Sequence, residues 1–176
     1  MEIQSTDLKD FRLIYNANYA LLMQVAVHIV YDQAAAEDLA QEAFERFYVK
    51  NRRFPSEDDA RYWLIRVVKN LSLNYLKRKQ REAKLEEKLK ADPDRGIGGE
   101  DAADSLLTKD EGERVRAAVE NLPENLRMVI KLKEFTDLDY KGIAKVLGIS
   151  VANVKIRVFR ARKKLEEALR EDEDVY

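Results

Sequence analysis

The residues best equipped for chemistry lie between Lys155 and Lys164. Lys155, Arg157, Arg160, Arg162, Lys163 and Lys164 are cationic and no acid interrupts them. Val151, Val154, Val158, Ala161 and Leu165 recur at helical spacing through the same stretch, so one face of a helix is apolar and core-directed. Lys155, Ile156, Phe159, Arg160 and Lys163 then point outward. The preceding segment, from about Asp139 to Leu147, reads as a helix that Gly148 ends in the left-handed conformation, with Ser150 as the N-cap of the next. The spacing of Ala144, Gly148 and Val154 lets the two helices cross closely, as in a helix-turn-helix. A cationic outer face on the second helix of such a pair suits a DNA major groove. A merely solvated charged helix would not need the small residues beneath it.

A second set lies on a helix predicted from near Asp58 to Lys79, and as far as about Leu89 if it continues. Leu64, Val67 or Val68, Leu71 and Tyr75 suit its core side, and Arg66, Lys69, Asn70, Asn74 and Lys77 an exposed basic side. Cations beside aromatics fit a single-stranded nucleic acid, which needs phosphate partners and ring faces for unstacked bases. For Tyr62 and Trp63, core packing is an equal reading. A third set lies on the helix before it, from near Ala34 to Lys50. Leu39, Ala43, Phe44 and Phe47 make the buried stripe, while Asp38, Gln41, Glu42 and Glu45 make a largely acidic face that periodicity alone assigns to solvent. A first helix spans about Asp7 to Tyr31, with Leu8, Phe11, Ile14, Leu22 and Ile29 in its apolar pattern.

The totals exclude several classes. The 176-residue chain is 37% charged, poor in Gly and Pro, and lacks strand-type alternation, so an all-α protein is expected. The net charge of −1 hides segregation. A basic block runs from Arg61 to Lys84 with Glu82 its sole acid, and an acidic block runs from Asp92 to Glu113. The absence of cysteine excludes disulfides, thiol catalysis and cysteine-bound zinc, and suits a reducing cytoplasm. His28, the one histidine, sits in an apolar run as a packed residue. With no glycine-rich phosphate loop and no evident acid pair, neither an enzyme nor a metal or cofactor site is expected. No signal peptide is evident, no segment is expected to approach the roughly 18 uncharged apolar residues that a membrane span needs, and no membrane insertion is expected.

Pro93, Gly96, Gly98 and Gly99 among acids mark a flexible linker. The expected organisation is residues 1–90, an acidic linker at 91–105, a second helical unit at 106–170, and an acidic tail at 171–176. Pro123 fits the start of a helix carrying Leu126, Val129, Ile130 and Leu132.

In combination these segments resemble the bacterial sigma-70 family, in particular its extracytoplasmic-function group. Ala36-Glu-Asp-Leu-Ala-Gln-Glu-Ala-Phe44 resembles the signature helix of sigma region 2. Trp63-Leu-Ile-Arg-Val-Val-Lys-Asn70 and Asn74-Tyr-Leu-Lys-Arg78 resemble the rest of that region. Leu122-Pro-Glu-Asn-Leu-Arg127 with the helix-turn-helix resembles region 4. The resemblance implies a subunit that joins core RNA polymerase and directs it to promoter DNA. It implies −35 duplex contacts by Lys155, Ile156, Arg157, Phe159, Arg160, Arg162 and Lys163. Melted −10 strand would meet Phe54, Trp63, Arg66, Lys69, Asn70, Asn74, Lys77 and Arg78. Asp38, Gln41, Glu42 and Glu45 would dock on the polymerase, and an anti-sigma factor would be a further partner.

The chain departs from the family in three places. Gly142 stands where a glutamate is usual before Ile143-Ala144, and a mid-helix Gly costs about 1 kcal/mol relative to Ala. Ala152-Asn153 replaces Gly-Thr, and Ile156 replaces a small hydroxylated residue, which points to apolar contact with a base such as a thymine methyl. A stand-alone helix-turn-helix regulator is the alternative reading, and a helical adaptor that binds no DNA is a third.

Overall fold

The computed structural model describes residues 2–90 and 111–173, with side chains detailed for 2–88 and 112–170. The linker expected at 91–105 lies outside these residues, and of the acidic tail expected at 171–176 the first three residues continue α7. The element order is β1 (Ile3–Gln4), α1 (Leu8–Val30), α2 (Gln33–Val49), β2 (Arg53–Phe54), α3 (Glu57–Lys90), α4 (Glu111–Glu120), α5 (Glu124–Phe135), α6 (Tyr140–Leu147) and α7 (Val151–Glu173). The all-α expectation holds apart from one short antiparallel pairing, in which Ile3 faces Phe54 and Gln4 faces Arg53.

Local chemistry sets the helix boundaries. Asp7 caps α1 by accepting from the amides of Lys9 and Asp10, and Asp32 caps α2 by accepting from that of Ala35. The Ser56 hydroxyl oxygen accepts from the Asp59 amide at 3.1 Å at the start of α3. Asp139 accepts from the Gly142 amide at 2.7 Å to start α6, and Ser150 accepts from the Asn153 amide at 3.2 Å to start α7. Each satisfies a helix-terminal N–H that has no intrahelical partner. Gly148, at φ 68°, ends α6 as its spacing predicts. Tyr31 ends α1 in the same left-handed region, at φ 55°, an uncommon place for an aromatic residue.

Helices α1, α2 and α3 pack around Ile14, Leu22, Ala40, Phe44, Phe47, Leu64, Ile65 and Val68. Leu8, expected in the apolar stripe, is 65% exposed at the start of α1. By length and composition α1 is apolar enough to cross a membrane, contrary to the expectation that no segment comes near this. Its apolar side, from Ile14 to Ile29, instead faces α2 and α3 in the core, with the buried Asn18 amide donating to the Ile14 carbonyl at 2.8 Å.

The two helical units share that core. Met128, Val129, Leu132, Leu138, Ile143 and Val146 of the second unit belong to the same buried cluster, whereas Leu122, Leu126, Ile130 and Ala161 form a smaller one beneath α7. Two seams join the units. Along α1 and α5, the His28 ring stacks on Phe135 with centroids 3.4 Å apart and planes within 7°. The Tyr31 hydroxyl donates to Glu120 at 2.7 Å, and the Lys131 ammonium, its side chain only 4% exposed, lies 2.5 Å from the same carboxylate. Arg116 covers the Tyr31 ring at 3.6 Å. Burial, followed by the hydrogen bond to Glu120, raises the Tyr31 phenol pKa to about 12. Along the second seam, α3 meets α6.

Candidate nucleic-acid and polymerase interfaces

Helix α7 separates its faces as its spacing predicts. Val154, Val158 and Ala161 are buried, Val151 and Leu165 half-buried, and Lys155, Ile156, Phe159, Arg160, Arg162 and Lys163 exposed. Arg157 is half-buried at the edge. Ile156 is 47% and Phe159 69% exposed, so two large apolar side chains one helical turn apart sit open to water among cations. That arrangement suits a groove that offers both phosphates and methyl groups. Arg162 lies 3.6 Å from Glu134, and Lys163 lies 3.8 Å from Glu167. Exposed pairs of this kind are worth little, and phosphates can displace them.

Helix α3 is less open than expected. Asn70, Asn74, Lys77 and Arg78 are exposed, with Arg78 lying 5.8 Å over the Tyr75 ring. Arg66 is already engaged, its Nε donating to the Val146 carbonyl at 3.1 Å and its Nη2 to the Lys145 carbonyl. These carbonyls end α6, so the guanidinium caps the first helix of the helix-turn-helix. Lys69 is half-buried, and burial, aided by the neighbouring Arg66 charge, lowers its pKa from 10.5.

Phe54 requires a correction. The ring, expected to meet melted −10 strand, is only 3% exposed. It lies 5.2 Å from the Phe47 ring and 5.9 Å from Trp63, and its backbone is held by the pairing to β1. As placed it offers no ring face to a base. Trp63 is half-buried and opens onto a shallow groove shared with Glu42, Glu45, Arg46, Val49, Lys50 and Val67, so it lies beside the acidic face of α2. On that face Asp38, Gln41 and Glu45 are exposed, while Glu42 is half-buried and paired with Arg46 at 2.6 Å.

Sequence reasoning did not anticipate the residues that join the units. Asp59 meets Lys145 at 3.0 Å, and Arg61 pairs with Asp137. Tyr62 packs against Gly142, and Tyr31, Glu120 and Lys131 form the buried polar cluster. These contacts between the units span 76 to 100 residues and leave no periodic signal. The single clue was Gly142, an unfavourable residue in mid-helix. Among the described residues no group of His, Cys, Asp and Glu is arranged to hold a metal.

A three-helix body with an acidic face, joined to a helix-turn-helix unit with a cationic recognition helix, is the build of a transcription initiation factor. Residues 14–82 match sigma-70 region 2, and residues 112–165 match sigma-70 region 4. The chain is 30% identical to the RNA polymerase sigma-H factor of Pseudomonas aeruginosa, over 95% of this chain and 90% of that one. It belongs to the sigma-70 family of RNA polymerase sigma factors. Within that family it falls in the extracytoplasmic-function group, with 27% identity to the ECF sigma factor SigW of Bacillus subtilis across 97% of this chain and 94% of that one.

Solved structures show the same fold. The sigma factor RpoE of Bartonella quintana, in complex with the anti-sigma factor NepR, superposes with a TM-score of 0.66 at 21% identity, covering 93% of this chain and 98% of that one. CnrH, in complex with the cytosolic domain of CnrY, gives 0.65 at 25% identity, covering 96% and 92%.

Proposed function

We propose that this protein joins core RNA polymerase and brings it to promoters through three surfaces. The outer face of α7 reads duplex at −35. Lys155, Ile156, Phe159 and Arg160 reach base edges, while Arg157, Arg162 and Lys163 hold phosphates. The basic side of α3, with Arg66, Lys69, Asn70, Asn74, Lys77 and Arg78, follows the melted −10 strand. The acidic face of α2, through Asp38, Gln41, Glu42 and Glu45, docks on a basic surface of the polymerase. The working division is residues 1–90 for polymerase and −10 contacts, 91–105 as linker, and 106–170 for −35 contacts.

The observation that carries this reading is α7, where Val154, Val158 and Ala161 seal one side and cations with two open apolar groups occupy the other. The protein is then a non-catalytic factor that works in the cytoplasm beside polymerase and DNA. An anti-sigma factor is its expected regulator, since the RpoE relative of similar fold was captured with one. The test is promoter-specific run-off transcription. Transcripts should form only when core enzyme and this protein are both present. Binding to promoter duplex without core enzyme, and without run-off, would replace this reading with that of a stand-alone regulator.

A further inference from the structure

The cations of α3 do not stop where its support stops. Leu76 is the last half-buried residue, and from Lys77 to Lys88 every residue is exposed. Within this overhang Lys77, Arg81, Lys84 and Lys88 recur at intervals of four, three and four residues. At 3.6 residues per turn the four fall within about 60° of one another, so they form one line along the helix. Asn70 and Asn74, seven and three residues before Lys77, stand on the same side and are exposed too. Glu82 and Glu86 lie on the other side, with Glu87 at the flank. The ion pair of the overhang, Arg78 with Glu82 at 3.7 Å, is off the line. Among the described residues no acid pairs with the four cations of the line. The Nε of Arg81 donates to the Lys77 carbonyl at 3.2 Å, which keeps the guanidinium on it.

The chemistry of α3 changes at the point where the line begins. Its last aromatic residue is Tyr75, whose ring has Arg78 at 5.8 Å and Lys79 at 5.9 Å. Up to Tyr75 the helix offers rings and amides, which suit unstacked bases. Beyond it the line offers cations alone, which hold phosphates and carry no base readout. The overhang is about 18 Å long, the rise of about five steps of B-form duplex. It stands clear of the body, so no second wall encloses a single strand there. A straight row of cations open on all sides fits the outside of a duplex.

We propose that the line of Lys77, Arg81, Lys84 and Lys88 grips the phosphate backbone of the duplex just upstream of the melted −10 strand. The supported part of α3 takes the strand, and the overhang anchors the duplex that leads toward the −35 element. This deepens the function proposed above and rests on it, since that reading places the melted strand beside Asn70 and Asn74.

The test compares two DNAs bound by holoenzyme made from core polymerase and this protein. One is a forked DNA whose duplex ends at the upstream edge of the −10 element. The other carries about one more helical turn of duplex upstream, stopping short of −35. With the unaltered protein the added turn should tighten binding several-fold. Arg81→Gln with Lys84→Gln and Lys88→Gln should abolish most of that gain and lower the salt slope on the longer DNA by about 2–3. The shorter DNA should bind as before. Glutamine is a good helix former, so circular dichroism should not change. Lys9→Gln with Arg12→Gln and Lys79→Gln removes the same charge off the line and should keep the gain. Scrambling the sequence of the added turn should also keep it.

Equal losses on both DNAs would assign the line to the strand and overturn the proposal. So would an undiminished gain in the triple variant, or a triple variant that no longer binds core polymerase in the absence of DNA. These outcomes leave the sigma reading standing, provided the unaltered protein gives promoter-specific run-off. Absence of run-off with the unaltered protein would refute that reading and the role of the line with it.

Discussion

Glu120 is the anion at the centre of the seam between α1 and α5, and its replacement by Gln tests how that seam is held. Three donors converge on it: Lys131 at 2.5 Å, the Tyr31 hydroxyl at 2.7 Å and Arg127 at 3.2 Å. Gln keeps the size and an acceptor for Tyr31 but removes the charge that matches Lys131. The Lys131 side chain is 4% exposed, so its ammonium cannot turn to water, whereas that of Glu120 is 32% exposed. Removing one partner of a fully buried pair costs about 4 kcal/mol, and partial access of water to Glu120 reduces this to about 2 kcal/mol. The expected fall in melting temperature is roughly 4–8 °C for a chain of this length. Glu120→Gln with Lys131→Met removes both charges, fills the Lys131 site with an apolar chain, and should recover most of the loss. Urea unfolding followed by circular dichroism measures all three proteins. A cost below about 0.5 kcal/mol for the single change, within the range of ordinary surface substitutions, or a double variant no better than the single one, would refute the account.

Other consequences follow from the same geometry. Burial, aided by the Lys131 charge, lowers the His28 pKa below 6.5, so the unfolded chain takes up the proton first. This contribution is complete above pH 6.5 and is lost as pH falls through the lowered folded value, so urea midpoints should drop with acid more steeply than in His28→Gln. Identical slopes would contradict it. Phe54→Ala should cost about 3–5 kcal/mol through loss of core packing, and a fully stable variant would return Phe54 to the surface. Asp38→Ala with Gln41→Ala should weaken binding to core polymerase while leaving circular dichroism unchanged, and unaltered affinity would move the docking face elsewhere. If Ile156 contacts a thymine methyl, uracil in place of that −35 thymine should weaken initiation about fourfold, roughly the worth of one methyl group. Ile156→Ala should be indifferent to the swap, and equal sensitivity in both proteins would exclude the contact.

What could be read in the chain was what is local. The cap at Ser150 acts over three residues, and the buried stripes of α2 and α7 over one or two turns, so spacing exposes them. Phe54 escaped because its burial depends on a strand some fifty residues earlier, and a two-residue strand has no period to detect. Tyr62 could be weighed only as core or strand contact. Its third role, seated in another helix's missing side chain, needs two distant segments known at once. Gly142 was visible as a departure, but its physical reason was visible only in the fold.

Helix α3 outruns the body that supports it. From Lys77 to Lys88 every residue is exposed, and Arg78–Glu82 at 3.7 Å is an ion pair within that stretch. Twelve unsupported residues, about 18 Å of helix, are marginal in water. The end should fray with heat, and four unwound residues exchange about 6 Å of rod for up to about 14 Å of chain. The C-terminal end of α3 therefore reaches farther on warming than the intact helix does. A helix end that leaves the core thus gives α3 a length that depends on temperature.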